Sequence, residues 1–243
     1  MKTLVAILQY NTPELTDSLF ETLKLFEEDV YDLIVVDNGS DKDKISKYTK
    51  YSLEENTYYG GGLNAILGLF LESPQYDSVM VLNNDIICHG FNYVKTLKEE
   101  MLANSLDIIS PCVLEPHTGN QAYWKPMRPW HTGKTRIVPW VDYQAPLLSR
   151  RFVEKAYPFD SQLNYGWGQD HLSGIICQDN GWLIGVCDKV PTIHLISQTL
   201  RLNPDKLSNV NGLAESNMFE YFKKINRFEE FMEMRNKSSN YTI

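Results

Sequence analysis

The apolar run of residues 79–82 leads directly into Asn83, Asn84 and Asp85, and this stretch most constrains how the chain can fold. Four consecutive apolar residues are typical of a strand buried on both faces of a sheet. In open α/β sheets, ligands bind outside the carboxyl ends of such strands. Asp85 would offer an oxygen ligand of the kind that Mg²⁺ or Mn²⁺ uses together with substrate phosphates. A strand that ends in an ordinary polar turn explains the same seven residues, because Asn and Asp are common turn residues.

Two more apolar runs precede this one, at residues 3–8 and 33–36. Between them, apolar residues recur at helical spacing after Pro13, which suits the first position of a helix. The order strand, helix, strand predicts a βαβ unit with parallel strands. The charged segment 41–50 predicts a solvent-exposed helix, and the apolar run 79–82 then continues an α/β sheet.

Three glycines, residues 60–62, stand where a loop enters a predicted helix at residues 65–71. Backbone N–H groups at the N-terminus of a helix can bind an anion. A tight turn is the other explanation for these glycines. The segment is not a P-loop, because no Gly-Lys-Ser or Gly-Lys-Thr follows, and it lacks the Rossmann spacing.

The later part of the chain predicts a helix up to residue 103, a strand at 107–110, and loops with short β segments from 111 to 146. A short strand then enters a helix near Arg150. Asp170 opens another helix, and a closing strand follows at 181–186. These elements predict one domain over 1–213, with a first half at 1–110 and a second half at 111–213.

The segment 214–243 predicts an amphipathic C-terminal helix, from about Ala214 to Met234, and a tail. The expected role of the helix is packing against the domain. Contact with a membrane surface or with a partner is the alternative, because Lys223, Lys224 and Arg227 lie among the apolar residues.

Composition narrows the classes of function. Hydrophobic residues make up 43% of the chain, enough for a proper core, and the net charge of −8 argues against nucleic acid as a partner. The four cysteines form no close pair, which predicts reduced, buried thiols and a reducing compartment. The N-terminal apolar run is too short for a signal peptide. We therefore expect a cytoplasmic protein, with the inner face of the membrane as the alternative location.

Several polar and glycine-rich segments follow one another in a characteristic order along the chain. In sequence order they are Gln9-Tyr10-Asn11, Val35-Val36-Asp37-Asn38-Gly39-Ser40, Glu55-Asn56 with Gly60-Gly61-Gly62-Leu63-Asn64, Asn83-Asn84-Asp85, Phe159-Asp160 with Gly166-Trp167-Gly168-Gln169-Asp170, and Gly181-Trp182 with His194. This order resembles the GT-A fold glycosyltransferases of the family 2 type over roughly residues 3–194. Asn83-Asn84-Asp85 falls at the D-x-D metal motif of the family, and the Gly-Trp-Gly segment is similar to that of galactosyltransferase-like members.

The resemblance implies an α/β GT-A fold: a mostly parallel central sheet flanked by helices, with a small β/loop acceptor region and a C-terminal helix. It implies a metal-dependent, inverting glycosyltransferase that uses Mn²⁺ or Mg²⁺. The donor would be a UDP- or dTDP-linked sugar, because Asp37 would accept a hydrogen bond from N3–H of uracil or thymine. The acceptor would be a hydroxyl group of a glycan, a glycolipid or a polysaccharide under synthesis.

The same resemblance assigns roles to individual residues. Asp170 is the expected general base, and Asp85 and His194 are the expected metal ligands. Asn83 replaces the first Asp of the D-x-D motif, as in rhamnosyltransferase-like members, and Gln169 replaces the usual Glu. The expected contacts to the nucleotide sugar are Gln9, Tyr10, Asn11, Asp37, Asn64, Asn83 and Asn84, and those to the acceptor are Trp167 and Gln169.

Two other classes of function remain open from the sequence. A nucleotidyltransferase could use the same sheet, but that class usually has a glycine-rich, Arg-containing loop where this chain has Gln9-Tyr10-Asn11-Thr12-Pro13. A non-catalytic protein of the same fold that binds nucleotide sugars or carbohydrates is the closer alternative, since Gln169 departs from the catalytic pattern.

Overall fold

The structure is a computed structural model that describes residues 2–25, 31–88, 92–114, 125–130, 132–195 and 198–239. Nine strands lie in these ranges: β1 (Lys2–Gln9), β2 (Tyr31–Asp37), β3 (Thr49–Ser52), β4 (Tyr76–Asn83), β5 (Ile86–Cys88), β6 (Leu106–Leu114), β7 (Thr135–Val138), β8 (Leu147–Ser149) and β9 (Leu183–His194). The same ranges contain eight α-helices: α1 (Pro13–Leu25), α2 (Tyr58–Leu71), α3 (Tyr93–Ala103), α4 (Arg150–Ala156), α5 (Gln169–Asn180), α6 (Gln198–Leu202), α7 (Val210–Lys224) and α8 (Phe228–Ser239).

The nine strands form one sheet in the order β3-β2-β1-β4-β8-β6-β9-β5, with β7 paired to β9. Strands β3, β2, β1 and β4 run parallel to one another, and β6 runs parallel to β9, whereas β5 and β7 pair with β9 in the antiparallel sense. Strand β8 runs antiparallel between β4 and β6. The predicted βαβ unit of β1, α1 and β2 is confirmed. The mostly parallel sheet with flanking helices confirms the predicted fold class.

The sheet has an apolar core on each face because side chains alternate along its strands. Leu4 and Leu8 of β1 belong to the core on the α2 side, whereas Val5 and Ile7 belong to the core under α1 and α3. Each fully buried side chain of this kind stabilises the fold by about 1.5–3 kcal/mol. The strands are therefore rigid supports for the residues at their carboxyl ends.

The predicted helix at residues 41–50 is wrong. The segment forms a short 3₁₀ turn, Lys42–Lys44, and then the edge strand β3 beside β2. Contacts with α1 explain the extended path: Tyr48 stacks on Phe20 with ring centroids 4.1 Å apart. Ser46 Oγ donates a hydrogen bond to Asp17 Oδ1 at 2.5 Å. These tertiary contacts override the local pattern of charge.

Glycines 60–62 lie inside the first turn of α2 instead of in a loop before it. The N–H groups at this helix end already have acceptors: Thr57 N donates to Asn38 Oδ1 at 3.1 Å, and Gly60 N donates to Asn164 O at 2.8 Å. A Cβ atom on Gly60 would lie 2.7 Å from Asn164 Cα. Glycine thus allows close packing of α2 on the segment before α5, and these N–H groups are not available to an anion.

Strand β9 is longer than the predicted strand at 181–186. It continues to His194 because β5, β6 and β7 all pair with it. Strand β7 lies within the predicted loop region 111–146, of which residues 115–124 and 131 are outside the described residues. All four cysteines are free and buried, as predicted.

The single C-terminal helix predicted at 214–234 is wrong, because α7 ends at Lys224 and α8 begins at Phe228. Asn226, with φ of 56°, breaks the helical path. Phe222 and Phe231 are fully buried and stack with ring centroids 4.4 Å apart. The two helices therefore form a hairpin whose apolar side packs on α5. Packing of the C-terminal segment against the domain is what the sequence predicts. Among the described helices, none is long and apolar enough to cross a membrane.

Candidate active site

A cavity of about 590 Å³ lies at the carboxyl ends of β1 and β4, which is the edge of the sheet that the sequence predicts to bind ligands. This volume falls within the usual ~300–1,000 Å³ of small-molecule sites. Leu8 of β1 pairs with Asn83 of β4 at the cavity floor. Residues of α6, α7 and α8 form the opposite wall, including Leu200, Asn211 and Arg235.

Asp85 and His194 meet in the wall of this cavity, with Asp85 Oδ1 3.0 Å from His194 Nε2. The antiparallel pairing of Ile86 with His194 brings the end of β9 to the turn after β4. Burial of Asp85 opposes ionisation, but the hydrogen bond and charge of His194 and the Gln198 N–H outweigh it and hold the pKa of Asp85 below its ordinary value. The carboxylate is therefore the stable form.

The chemistry of this pair suits a divalent cation. A carboxylate oxygen and an imidazole nitrogen are ligands that Mn²⁺ accepts, and these two atoms lie in contact. No group of three or more His, Cys, Asp or Glu side chains in the described part of the chain is arranged to hold a metal. Any further ligands would have to come from substrate or water.

The amides beside Asp85 differ in their surroundings. Asn83 lines the cavity. Asn84 also lines it, but its side chain is buried and Nδ2 donates to Thr12 Oγ1 at 2.6 Å and to Thr16 Oγ1 at 2.9 Å. Asn84 thus ties the end of β4 to the start of α1, which fixes the direction of the chain that presents Asp85.

Of the expected nucleotide-contacting residues near β1, Gln9 and Tyr10 line the cavity. Asp37 does not, since it is 1% exposed and both of its oxygens are bonded. Oδ1 accepts a hydrogen bond from Gln9 Nε2, and Oδ2 accepts one from Ser40 N at 3.0 Å. Asn11 lies outside the wall as well, where its Oδ1 accepts a hydrogen bond from Asp41 N at 2.8 Å. Asp37 and Asn11 thus hold the loops that frame the cavity.

Asn64 and Gln169 also lie behind the cavity wall. Asn64 clasps the backbone of Phe159, with Nδ2 2.9 Å from the carbonyl oxygen and Oδ1 2.9 Å from the amide nitrogen. Gln169 is 1% exposed, and its Nε2 donates to Leu163 O at 2.5 Å. Both side chains fasten the segment that leads into α5, so the structure does not place them with the cavity-lining residues.

Asp170 and Trp167 do reach the cavity. Gly166 and Gly168 have φ near 104° and 103°, a conformation that glycine adopts without strain, and the turn they make leaves Trp167 39% exposed. Asp170 Oδ1 accepts hydrogen bonds from Gly168 N at 3.2 Å and from His171 N at 2.8 Å. Within the described residues, Oδ2 has no hydrogen-bond partner, so this oxygen can receive a proton.

The pKa of Asp170 lies below its ordinary value. Burial acts against ionisation, but the charge and hydrogen bond of the His171 ring and the two backbone N–H groups overcome it. Position at the N-terminus of α5 adds the favourable helix dipole. The site therefore holds an ionised carboxylate at the start of a helix.

The sequence reasoning missed several residues of the cavity. Asp142 and Gln144 lie between β7 and β8 and line the wall between the two ends of the site. The only sequence signal for these two residues is that they flank the aromatic Tyr143. Such a short polar–apolar alternation is weak evidence for a binding site. The remaining missed polar residues are Asn38, Asn56, Tyr58, Tyr59, Tyr143, Tyr165, His171, Thr199, Asn211, Glu215 and Arg235.

Comparison with solved structures supports the fold assignment. The crystal structure of GalNAc-T7 with UDP, GalNAc and Mn²⁺ is similar, with a TM-score of 0.67 at 11% identity over 96% of this chain and 56% of that chain. The protein thus spans little more than half of the GalNAc-T7 chain. A197 from STIV is similar with a TM-score of 0.52 at 16% identity, over 81% of this chain and 87% of that chain. Neither a protein-family model nor a curated protein sequence matches the chain. At these identities the likeness shows the fold, and the chain has the GT-A fold.

Proposed function

We propose that this protein is an inverting glycosyltransferase of family 2 type, which transfers a sugar from a nucleoside-diphosphate sugar to a hydroxyl group of a glycan acceptor. The observation that carries the proposal is that one cavity of a GT-A fold contains both the Asp85–His194 pair and the ionised Asp170. The Asp85–His194 pair suits a divalent cation that binds the diphosphate leaving group. Asp170 suits a general base that activates the acceptor hydroxyl.

The nucleotide would lie over the carboxyl ends of β1 and β4, against Gln9, Tyr10 and Asn83. Donors with uracil or thymine fit the expected role of Asp37. For a base to reach this carboxylate, Asp37 must exchange its present partner, the Gln9 amide. The presence of UDP in the similar GalNAc-T7 structure supports a uridine nucleotide as the first donor to test.

Asp85 and His194 are the residues that would hold Mn²⁺ or Mg²⁺, with phosphate oxygens and water as the other ligands. Such an ion, when bound, acts as a Lewis acid that stabilises negative charge on a departing diphosphate. The similar GalNAc-T7 structure contains Mn²⁺ together with UDP.

Asp170 would perform the proton transfer. The acceptor oxygen attacks the anomeric carbon as Asp170 Oδ2 takes its proton, and the bond from that carbon to the diphosphate oxygen breaks with its electron pair on the leaving group. Attack from the side opposite the leaving group inverts the anomeric configuration. The exposed Trp167 beside Asp170 offers a flat apolar surface for the acceptor sugar ring.

The test is a screen of UDP- and dTDP-linked sugars for binding and for donor hydrolysis, with Mn²⁺ and with excess chelator. We expect binding and slow, Mn²⁺-stimulated release of nucleotide, and faster release when a glycan acceptor is added. Binding without any release, with or without acceptors, would favour the non-catalytic carbohydrate-binding alternative. A protein that binds none of these donors would overturn the proposal.

A further inference from the structure

Asp142 and Gln144 form a polar pair in the cavity wall that the roles described above leave without a function. They lie in the turn before β8, on either side of Tyr143, which packs in the core and also lines the cavity. Gln144 Nε2 donates a hydrogen bond to Asp142 Oδ2 at 2.7 Å. Both residues line the cavity.

The backbone of this segment is fixed on three sides. Asn83 N donates to Gln144 O at 2.9 Å, which attaches the pair to the strand that leads to Asp85. Tyr59 Oη donates to Tyr143 O at 2.5 Å. The Tyr143 hydroxyl lies 2.5 Å from Ser173 Oγ of α5, the helix that begins beside Asp170. The pair is thus held between the two ends of the site.

The amide oxygen of Gln144 has no hydrogen-bond partner among the described residues, although the residue is only 5% exposed. Rotating the amide would place this oxygen against the Asp142 carboxyl group, which can only accept while it is ionised; burial and the charge of Asp170 raise the pKa of Asp142. The orientation is therefore set by chemistry, and an acceptor oxygen remains unsatisfied. A buried polar atom without a partner in a cavity wall points to a ligand that supplies the missing hydrogen.

The chemistry of the pair selects the ligand. The carboxylate of Asp142 keeps free acceptor capacity after its bond to Gln144, since each carboxylate has about four lone-pair positions. Two neighbouring acceptors attract groups that carry O–H donors and repel phosphate and carboxylate oxygens. Hydroxyl groups of a neutral sugar satisfy both acceptors, whereas a diphosphate satisfies neither.

We propose that Asp142 and Gln144 bind adjacent hydroxyl groups of the neutral hexose in the donor, an inference that rests on the proposed function. The attachment of the pair to the end of β4 places it next to the diphosphate end of the site, which favours the donor sugar over the acceptor sugar. The pair thereby selects the sugar but does not contact the nucleotide. The same acceptors disfavour donors that carry a carboxylate on the sugar.

The experiment measures affinities for UDP, UDP-glucose, UDP-galactose and UDP-glucuronic acid by isothermal titration calorimetry with Mn²⁺ and without acceptor. The variants are Asp142→Asn and Gln144→Leu. Their matched controls are Asp43→Asn, at an exposed position, and Gln162→Leu, outside the cavity wall. Melting temperature and affinity for UDP report whether each variant remains folded.

We expect the wild type to bind a neutral UDP-sugar more tightly than UDP, and UDP-glucuronic acid more weakly than the neutral sugar. Both variants lose about tenfold in affinity for the neutral UDP-sugar while their affinity for UDP stays the same. An unchanged preference for the UDP-sugar in both variants would overturn this inference and leave the proposed function intact. A wild type that binds no nucleotide sugar would overturn both.

Discussion

Asp170 and His171 are joined by a hydrogen bond between Oδ1 and the ring Nδ1, 2.8 Å long, and the same ring stacks on Trp140 with centroids 4.2 Å apart. Because the carboxylate only accepts, Nδ1 carries the proton. The stacking holds the ring in place, so the hydrogen bond keeps one carboxylate oxygen occupied and leaves the other available as an acceptor.

This pairing predicts the pH dependence of the reaction. The pKa of Asp170 in the folded protein lies below the ordinary aspartate value, so the base is ionised at neutral pH. We expect kcat/KM to show no acid limb from Asp170 between about pH 5 and 8. The same shift stabilises the fold at neutral pH, and this contribution is lost as pH falls below 3.8. An acid limb above pH 5 that Asp170→Glu displaces would contradict the assignment.

The variant Asp170→Asn should lose turnover by about 10²- to 10⁴-fold, the usual contribution of a general base. Asn has nearly the same shape, so the fold and donor binding should persist. The measurement is donor turnover with acceptor, beside melting temperature and affinity for UDP. Asp43→Asn, the matched exposed control, should retain full activity; near-normal turnover in Asp170→Asn would identify another base.

The variants Asp85→Asn and His194→Gln each remove one member of the Asp85–His194 pair. Either variant should remove the effect of Mn²⁺ on UDP binding. Loss of a direct ligand should cost at least the roughly 10- to 100-fold that removal of an outer-shell partner costs in metal affinity. Calorimetry of UDP binding with Mn²⁺ and with excess chelator measures this effect. If both variants keep a wild-type response to Mn²⁺, the ion binds elsewhere.

Truncation of Phe222 should destabilise the whole domain, because this fully buried ring stacks on Phe231 in the core shared with α5. Phe222→Ala should lower the free energy of unfolding by about 3–5 kcal/mol. Leu213→Ala, at a position 39% exposed on the same helix, should change it by less than about 1 kcal/mol. Urea unfolding measures both values, and an equally small effect for Phe222 would show that the helical hairpin is not part of the core.

The sequence predicts those parts of the site that follow directly from buried strands. Asn83 and Asp85 lie where the apolar run of β4 ends, because the end of a buried strand is visible in its hydrophobic pattern. The long-range contacts are not visible in this way. In this structure Gln9 donates a hydrogen bond to Asp37 and Asn64 donates one to the Phe159 carbonyl, and both bonds depend on packing between distant segments.

Long-range contacts also explain why some features of the structure are not predicted from the sequence. Gln144 faces the cavity because the segment before β8 pairs with the end of β4, and no local pattern records that antiparallel pairing. The prediction for residues 41–50 failed because the edge strand β3 is mostly exposed, so the polar residues of this segment resemble those of a solvent-exposed helix. The prediction of one helix over α7 and α8 failed at Asn226. Asn adopts a positive φ more readily than most residues, but its presence in a sequence does not by itself predict the end of a helix.

Because β8 lies between β4 and β6, residues 1–110 and residues 111–213 contribute to one sheet and are expected to fold together. A fragment of residues 1–110 would lack β8 and would expose the backbone edge of β4, with four fully buried apolar side chains beside it. Such an edge is a template for aggregation. We therefore expect neither half to be produced as a stable protein by itself, and a nucleotide-binding fragment cannot be isolated by cutting the chain at its apparent midpoint.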